Sequence, residues 1–153
     1  MSLKSGLTAS LAIFVFSGLA SAQDYQLPPT FGAVTLQPGF LPDPVEVVLV
    51  AGGPIDAATI NTGCVGMIAD APDFRLTYGA GGRQLFIGVT SEADTTLVVN
   101  APDGSWYCSD DYAGGLDPFV GGENPQAGQY DIWVGTYGVE TTEATLYITE
   151  YSH

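Results

Sequence analysis

Residues 94–117, DTTLVVNAPDGSWYCSDDYAGGLD, decide how this chain is read. They form the pattern of a β-hairpin. Thr95 to Asn100 is β-branched and apolar, which suits a strand. Ala101-Pro102-Asp103-Gly104 is a turn, because proline presets φ and Asp-Gly tolerates a tight bend. Ser105 to Cys108 returns as the second strand. Pairing across that turn brings Asp94 towards Asp110 and Asp111. Three carboxylates then gather at one end of the hairpin, beside a cysteine. Like charges so placed repel one another unless a cation or solvent screens them.

The chain around this hairpin has 153 residues, enough for one domain. Its start reads differently from the rest. Lys4 is positive, Leu7 to Leu19 is mostly apolar, and Ala20-Ser21-Ala22 makes a small-residue cleavage site before Gln23. This is the pattern of a secretory signal peptide over residues 1–22. A retained membrane anchor is the competing reading, but the apolar run is short for a span of about 20 residues. The mature chain is therefore expected to be periplasmic or secreted, with no membrane span. Residues 23–44 are polar and Pro-rich, and are expected to be an extended segment ending in at most one edge strand. The domain proper is expected over 45–153.

Removing residues 1–22 removes the only lysine, leaving 17 acidic residues against Arg75 and Arg83, a net charge of −15. So acidic a chain has no basic footprint for nucleic acid and is repelled by anionic membranes. Its acidity does not mean disorder, since 46% of the sequence is hydrophobic. Most of the carboxylates suit a solvated, self-repelling surface. The cluster at the hairpin end invites a cation.

The two cysteines are Cys64 and Cys108. In an exported protein two cysteines are expected to pair. A bridge would close a loop of about 44 residues, worth about 4 kcal/mol in the chain-entropy model. The alternatives are free thiols or a metal pair, and two thiols without a nearby histidine make a poor zinc site.

Elsewhere the dominant period is two. Val45 to Ala51 is a strand, ended by Gly52-Gly53-Pro54. Ile55 to Thr62 suits a short helical turn or a loop, and Cys64 to Ala69 a second strand. Apolar residues alternate with others at Phe74, Leu76 and Tyr78; at Leu85, Ile87 and Val89; at Tyr130, Ile132 and Val134; and at Ala144, Leu146 and Ile148. Pro118 to Gly121 is a short apolar piece, read as an edge strand. Twenty glycines and ten prolines punctuate these runs at short intervals. The expected fold is all-β, a single antiparallel β-sandwich, jelly-roll-like.

At this point a family resemblance is visible. Asp94-Thr95-Thr96-Leu97-Val98-Val99, Pro102-Asp103-Gly104, Asp110-Asp111 and Gly128-Gln129-Tyr130-Asp131-Ile132-Trp133-Val134 follow in order. This succession resembles the bacterial pre-peptidase C-terminal (PPC) domain, with its D-x-x-L-x-V, P-D-G, D-D and G-x-Y-x-I-x-V motifs. The likeness runs from Val45 to Tyr151 and is strongest after Leu85. Also similar are small exported proteins with G-C-x-G and W-x-C-x-D-D, here Gly63-Cys64-Val65-Gly66 and Trp106-Tyr107-Cys108-Ser109-Asp110-Asp111. The resemblance implies a jelly-roll sandwich, often calcium-stabilised, that accompanies secreted enzymes without performing catalysis. The expected departure from the family is a domain standing without the usual attached catalytic domain.

The calcium expectation falls on Asp94, Asp110, Asp111 and Asp117, with carbonyls of the Gly114-Gly115 loop turned inward. Calcium takes six to eight oxygens at about 2.3–2.6 Å. The spacing is not that of an EF-hand loop, and the alternative is a solvated acidic loop end without an ion. Catalysis is not expected. Ser-His-Asp chemistry needs a placed histidine, and the only one is His153. A pair such as Asp94 and Asp110 suits a glycosidase only within a cleft. Trp106 and Trp133 offer a carbohydrate platform if exposed, or packing over the disulfide and between strands if not. Tyr130, after Gly128-Gln129, resembles a tyrosine corner. The function expected is a non-catalytic structural or interaction module with an unknown protein or glycan partner. A carbohydrate-binding module and a hydrolase are the alternatives.

Overall fold

The computed structural model describes residues 24–138 and 140–152; the expected signal peptide and His153 lie outside them. Eleven strands form two sheets packed face to face as a β-sandwich. The first sheet holds β1 (Ala33–Leu36), β3 (Ile55–Asp56), β4 (Met67–Ile68), β5 (Phe74–Tyr78), β7 (Thr95–Asn100), β8 (Trp106–Ser109) and β10 (Gly128–Thr136). The second is ordered β2 (Val45–Ala51), β11 (Thr142–Thr149), β6 (Leu85–Thr90), β9 (Phe119–Gly122). Among the described residues, no helix is long and apolar enough to cross a membrane.

β10 is the axis of the first sheet. It pairs antiparallel with β7 along one edge, from Asp131↔Asn100 to Thr136↔Thr95. Along the other it pairs first with β5, then through Thr136↔Met67 with β4. In the second sheet β11 lies between β2 and β6, so that Leu146 stands opposite Val47 on one side and Val89 on the other. The period-two runs meet here for a physical reason. Leu76, Leu97, Val99, Ile132 and Val134 of one sheet point at Leu49, Ile87, Val89, Leu146 and Ile148 of the other, forming the main core. On the outer face of the second sheet Gly88 leaves room for the Tyr147 ring, which a Cβ there would strike.

The edge strand expected within residues 23–44 is β1, which joins the first sheet and pairs parallel with β5 from Ala33↔Arg75 to Leu36↔Tyr78. The sheet is therefore not wholly antiparallel. Residues 52–70 fold back over its outer face, with only Ile55–Asp56 and Met67–Ile68 as strand and a single 3-10 turn at Ala57–Thr59. A full strand over Cys64 to Ala69 does not form. Instead this excursion buries a second core of Ala57, Cys64, Ile68, Val98 and Trp133, and Cys64 is disulfide-bonded to Cys108 of β8.

Candidate metal centre

The hairpin forms as its residue types require. β7 and β8 pair from Asn100↔Trp106 to Leu97↔Ser109. The turn is closed by Gly104 N donating to Ala101 O at 2.8 Å and Ser105 N to Asp103 Oδ1 at 2.9 Å. Asp94 therefore stands just before β7, while Asp110 and Asp111 stand just after β8. One carboxylate oxygen from each lies within 4.8 Å of the others. The backbone around them is held: Tyr137 N donates to Asp94 O, and Phe119 N to Ser109 Oγ.

The donor set suits a hard cation. All three groups are carboxylates, and two oxygens on opposite sides of a calcium ion lie up to about 5 Å apart. Asp94 Oδ1 and Asp110 Oδ1 are both shielded from solvent and have no hydrogen-bond partner among the described residues. Buried polar atoms ordinarily have one. Burial, and then the charges of Asp111 and Asp94, push the Asp110 carboxyl above its usual range. A bound cation there would act in the opposite direction, favouring the ionised carboxylate.

Asp117, expected as the fourth carboxylate, does not join this group. Its Oδ1 accepts from Ser91 N at 3.2 Å, fixing the 110–118 loop against the end of β6. The loop turns through Ala113 and Gly114, both at positive φ, and this carries Asp117 away from the hairpin end.

The aromatic platform is corrected as well. Trp133 is 0% exposed and cannot stack on a sugar. Its Nε1 donates to Asp70 O, and its ring packs 5.4 Å from that of Trp106 in the core under residues 52–70. Trp106 covers this core beside Cys108. Surface aromatic rings gather instead on the second sheet, where Phe119 stacks on Phe86 and meets Tyr112 and Tyr147. The register Tyr147↔Gly88↔Phe119 sets this group, and it was hidden in the sequence because the three strands are far apart along the chain. Tyr130 matches the corner expectation: its hydroxyl donates to Gln126 O at 2.7 Å.

No protein-family model matches the chain, and no curated protein matches it in sequence. Among solved structures it is similar to the pre-peptidase C-terminal domain of collagenase from Bacillus anthracis. The identity is 14% and the TM-score 0.48, covering 80% of this chain and 98% of that one. The chain is also similar to PliG of Aeromonas hydrophila, a periplasmic lysozyme inhibitor of g-type lysozyme, at 14% identity and TM-score 0.43, covering 77% of this chain and 96% of that one. PliG of Salmonella Typhimurium, likewise a periplasmic inhibitor of g-type lysozyme, follows at 12% identity and TM-score 0.42, with the same coverage. These are distant likenesses of fold.

Proposed function

We propose that this protein is an exported, non-catalytic β-sandwich module, closed at the Asp94–Asp110–Asp111 end by a calcium ion, with a structural or interaction role. The observation that carries the ion is the pair of buried, unpartnered oxygens, Asp94 Oδ1 and Asp110 Oδ1, beside a third carboxylate. Leaving two such groups unpaired is costly, and a divalent cation removes both deficits together. Calcium would supply charge neutralisation at the mouth of the hairpin, and the three aspartates would hold it there. Export is supported by the signal pattern of residues 1–22 and by a disulfide of the kind that persists in oxidising compartments. A non-catalytic role is supported by what the serines do: Ser91 Oγ donates to Glu143 O, and Ser109 Oγ accepts from Phe119 N. Both serve the backbone.

The test is a calcium titration of chelator-treated protein, followed by thermal unfolding. Saturating calcium is expected to raise Tm by about 5–10 °C. Asp110→Ala is expected to fold but to lose the response. A Tm unmoved at millimolar calcium would sink the reading.

A further inference from the structure

The two sheets do not close on each other evenly along their β8–β9 side. At one end the edges meet, through Phe119 N and Ser109 Oγ at 3.1 Å. Towards the other they part, and a cavity of about 180 Å³ opens between them. Its walls are core side chains: Leu85 and Ile87 of β6, Val99 of β7 and Val120 of β9. Asn124, Pro125 and Gln126 form its roof.

That roof is fastened in place. Gln126 Nε2 donates to Asp103 Oδ2 at 2.7 Å, and Gln126 O accepts from the Tyr130 hydroxyl at 2.7 Å. Gln126 and Tyr130 line the space themselves, and these bonds fix where its roof stands. The lining is mostly apolar and open to solvent on one side, so an apolar ligand there would displace water and gain dispersion contacts. A cavity of roughly 150 Å³ lined by aliphatic and aromatic side chains is enough to take up benzene.

We propose that this cavity is a binding site for a small uncharged aromatic compound of one or two rings. The aliphatic walls match a ring, and the volume limits its size. The Asn124 amide and the Tyr107 hydroxyl, on exposed residues lining the same space, suit one polar substituent at the mouth. The chain's formal net charge of −14, with Asp103 on the roof's fastening, disfavours an anionic ligand. The site is separate from the aspartate cluster and stands whether or not that cluster holds calcium.

The experiment is a titration of the full mature chain with phenol, indole and benzoate, followed by amide chemical shifts. Phenol and indole are expected to bind with dissociation constants between tens of micromolar and millimolar, moving Val99, Val120 and Gln126 but not Asp94. Benzoate is expected to bind at least tenfold more weakly. Val120→Phe fills the space and is expected to weaken phenol binding at least tenfold while leaving Tm equal or higher. Ala101→Leu, also on the lining, serves as a second filled variant should Val120→Phe fold poorly. Absence of localised shifts with phenol and indole overturns the proposal. So does undiminished binding in a folded filled variant, and equal binding of benzoate overturns the selectivity assigned here.

Discussion

On the side of β10 away from β7, between the stretch that pairs with β5 and the point that meets β4, Val134 has no strand beside it among the described residues, and Asp73 takes that place. Its Oδ2 accepts from Val134 N at 2.7 Å, while Asp73 N donates to Ile132 O and Gly52 N to Val134 O. The side chain does the work of a backbone carbonyl and is 2% exposed in consequence. Burial pushes its carboxyl from 3.8 up to about 7, against a smaller lowering by the Val134 N–H. Between those values the folded state holds a proton that the unfolded state has released. The group's contribution is therefore fully present below about pH 4 and is lost as pH rises through 7, a difference of about 4 kcal/mol. Asp73→Asn keeps the acceptor and removes the titration. Urea unfolding at pH 8 is expected to show it more stable than wild type by a few kcal/mol, and at pH 4 nearly equal. Asp110 is raised in the same direction, so protons compete with the proposed calcium for it, and any calcium-induced rise in Tm is expected to shrink as the solution is acidified. Nothing near Asp73 in the sequence signals this. It follows Ala71-Pro72 and reads as a turn residue, and its partner is 61 positions away.

The elements were legible where one face meets the core and the other does not. Phe74–Tyr78 and Thr142–Thr149 alternate because β5 and β11 each turn one row of side chains to the opposite sheet. The Asp94–Asp110 approach was legible for a related reason: a short turn of Pro-Asp-Gly type sets hairpin register over the few residues that follow. Residues 52–70 were not legible, since their place depends on a surface made by distant strands. Val98 and Trp133 present apolar side chains on the outer face of the first sheet, and the excursion covers them. Its own strands are two residues each, too short to show a period. The disulfide then matters more than its single bond suggests, because Cys64 lies on the cover and Cys108 on the sheet beneath it. Replacing both cysteines by serine is expected to lower unfolding free energy by about 4 kcal/mol in urea titrations. Trp106 and Trp133 fluorescence should report the cover loosening at lower urea than the main core. Coincident, unshifted transitions would show that packing alone holds the cover.

At the scale of the molecule, Arg75 and Arg83 each pair with a carboxylate of the sandwich, with unequal force, and Arg75 also holds residues 24–44. Arg75 Nη2 donates to Tyr25 O at 2.6 Å and to Leu27 O at 3.1 Å, while its Nε donates to Asp131 Oδ1 at 2.5 Å. The Asp131 side chain is 3% exposed and that of Arg75 20%. Arg83 Nη1 lies 3.5 Å from Glu150 Oε2, with its own side chain 57% exposed. Glu150 has other donors in Gly39 N and the Tyr78 hydroxyl, and its N–H donates to Asp43 Oδ2. Removing Arg83 takes a mostly exposed, screened charge from a carboxylate that is itself 3% exposed but keeps two hydrogen-bond donors, a loss of about 1–2 kcal/mol. Removing Arg75 leaves Asp131 buried with only the Gln129 amide as a side-chain donor, a loss of about 3 kcal/mol or more. It also releases two carbonyls of the incoming segment. Arg75→Ala is thus expected to unfold well below Arg83→Ala and to be cut by protease within residues 24–31, where wild type resists. The same Tm loss in both variants would mean that the segment is held by β1 pairing alone, and that the guanidinium of Arg75 merely rests against it.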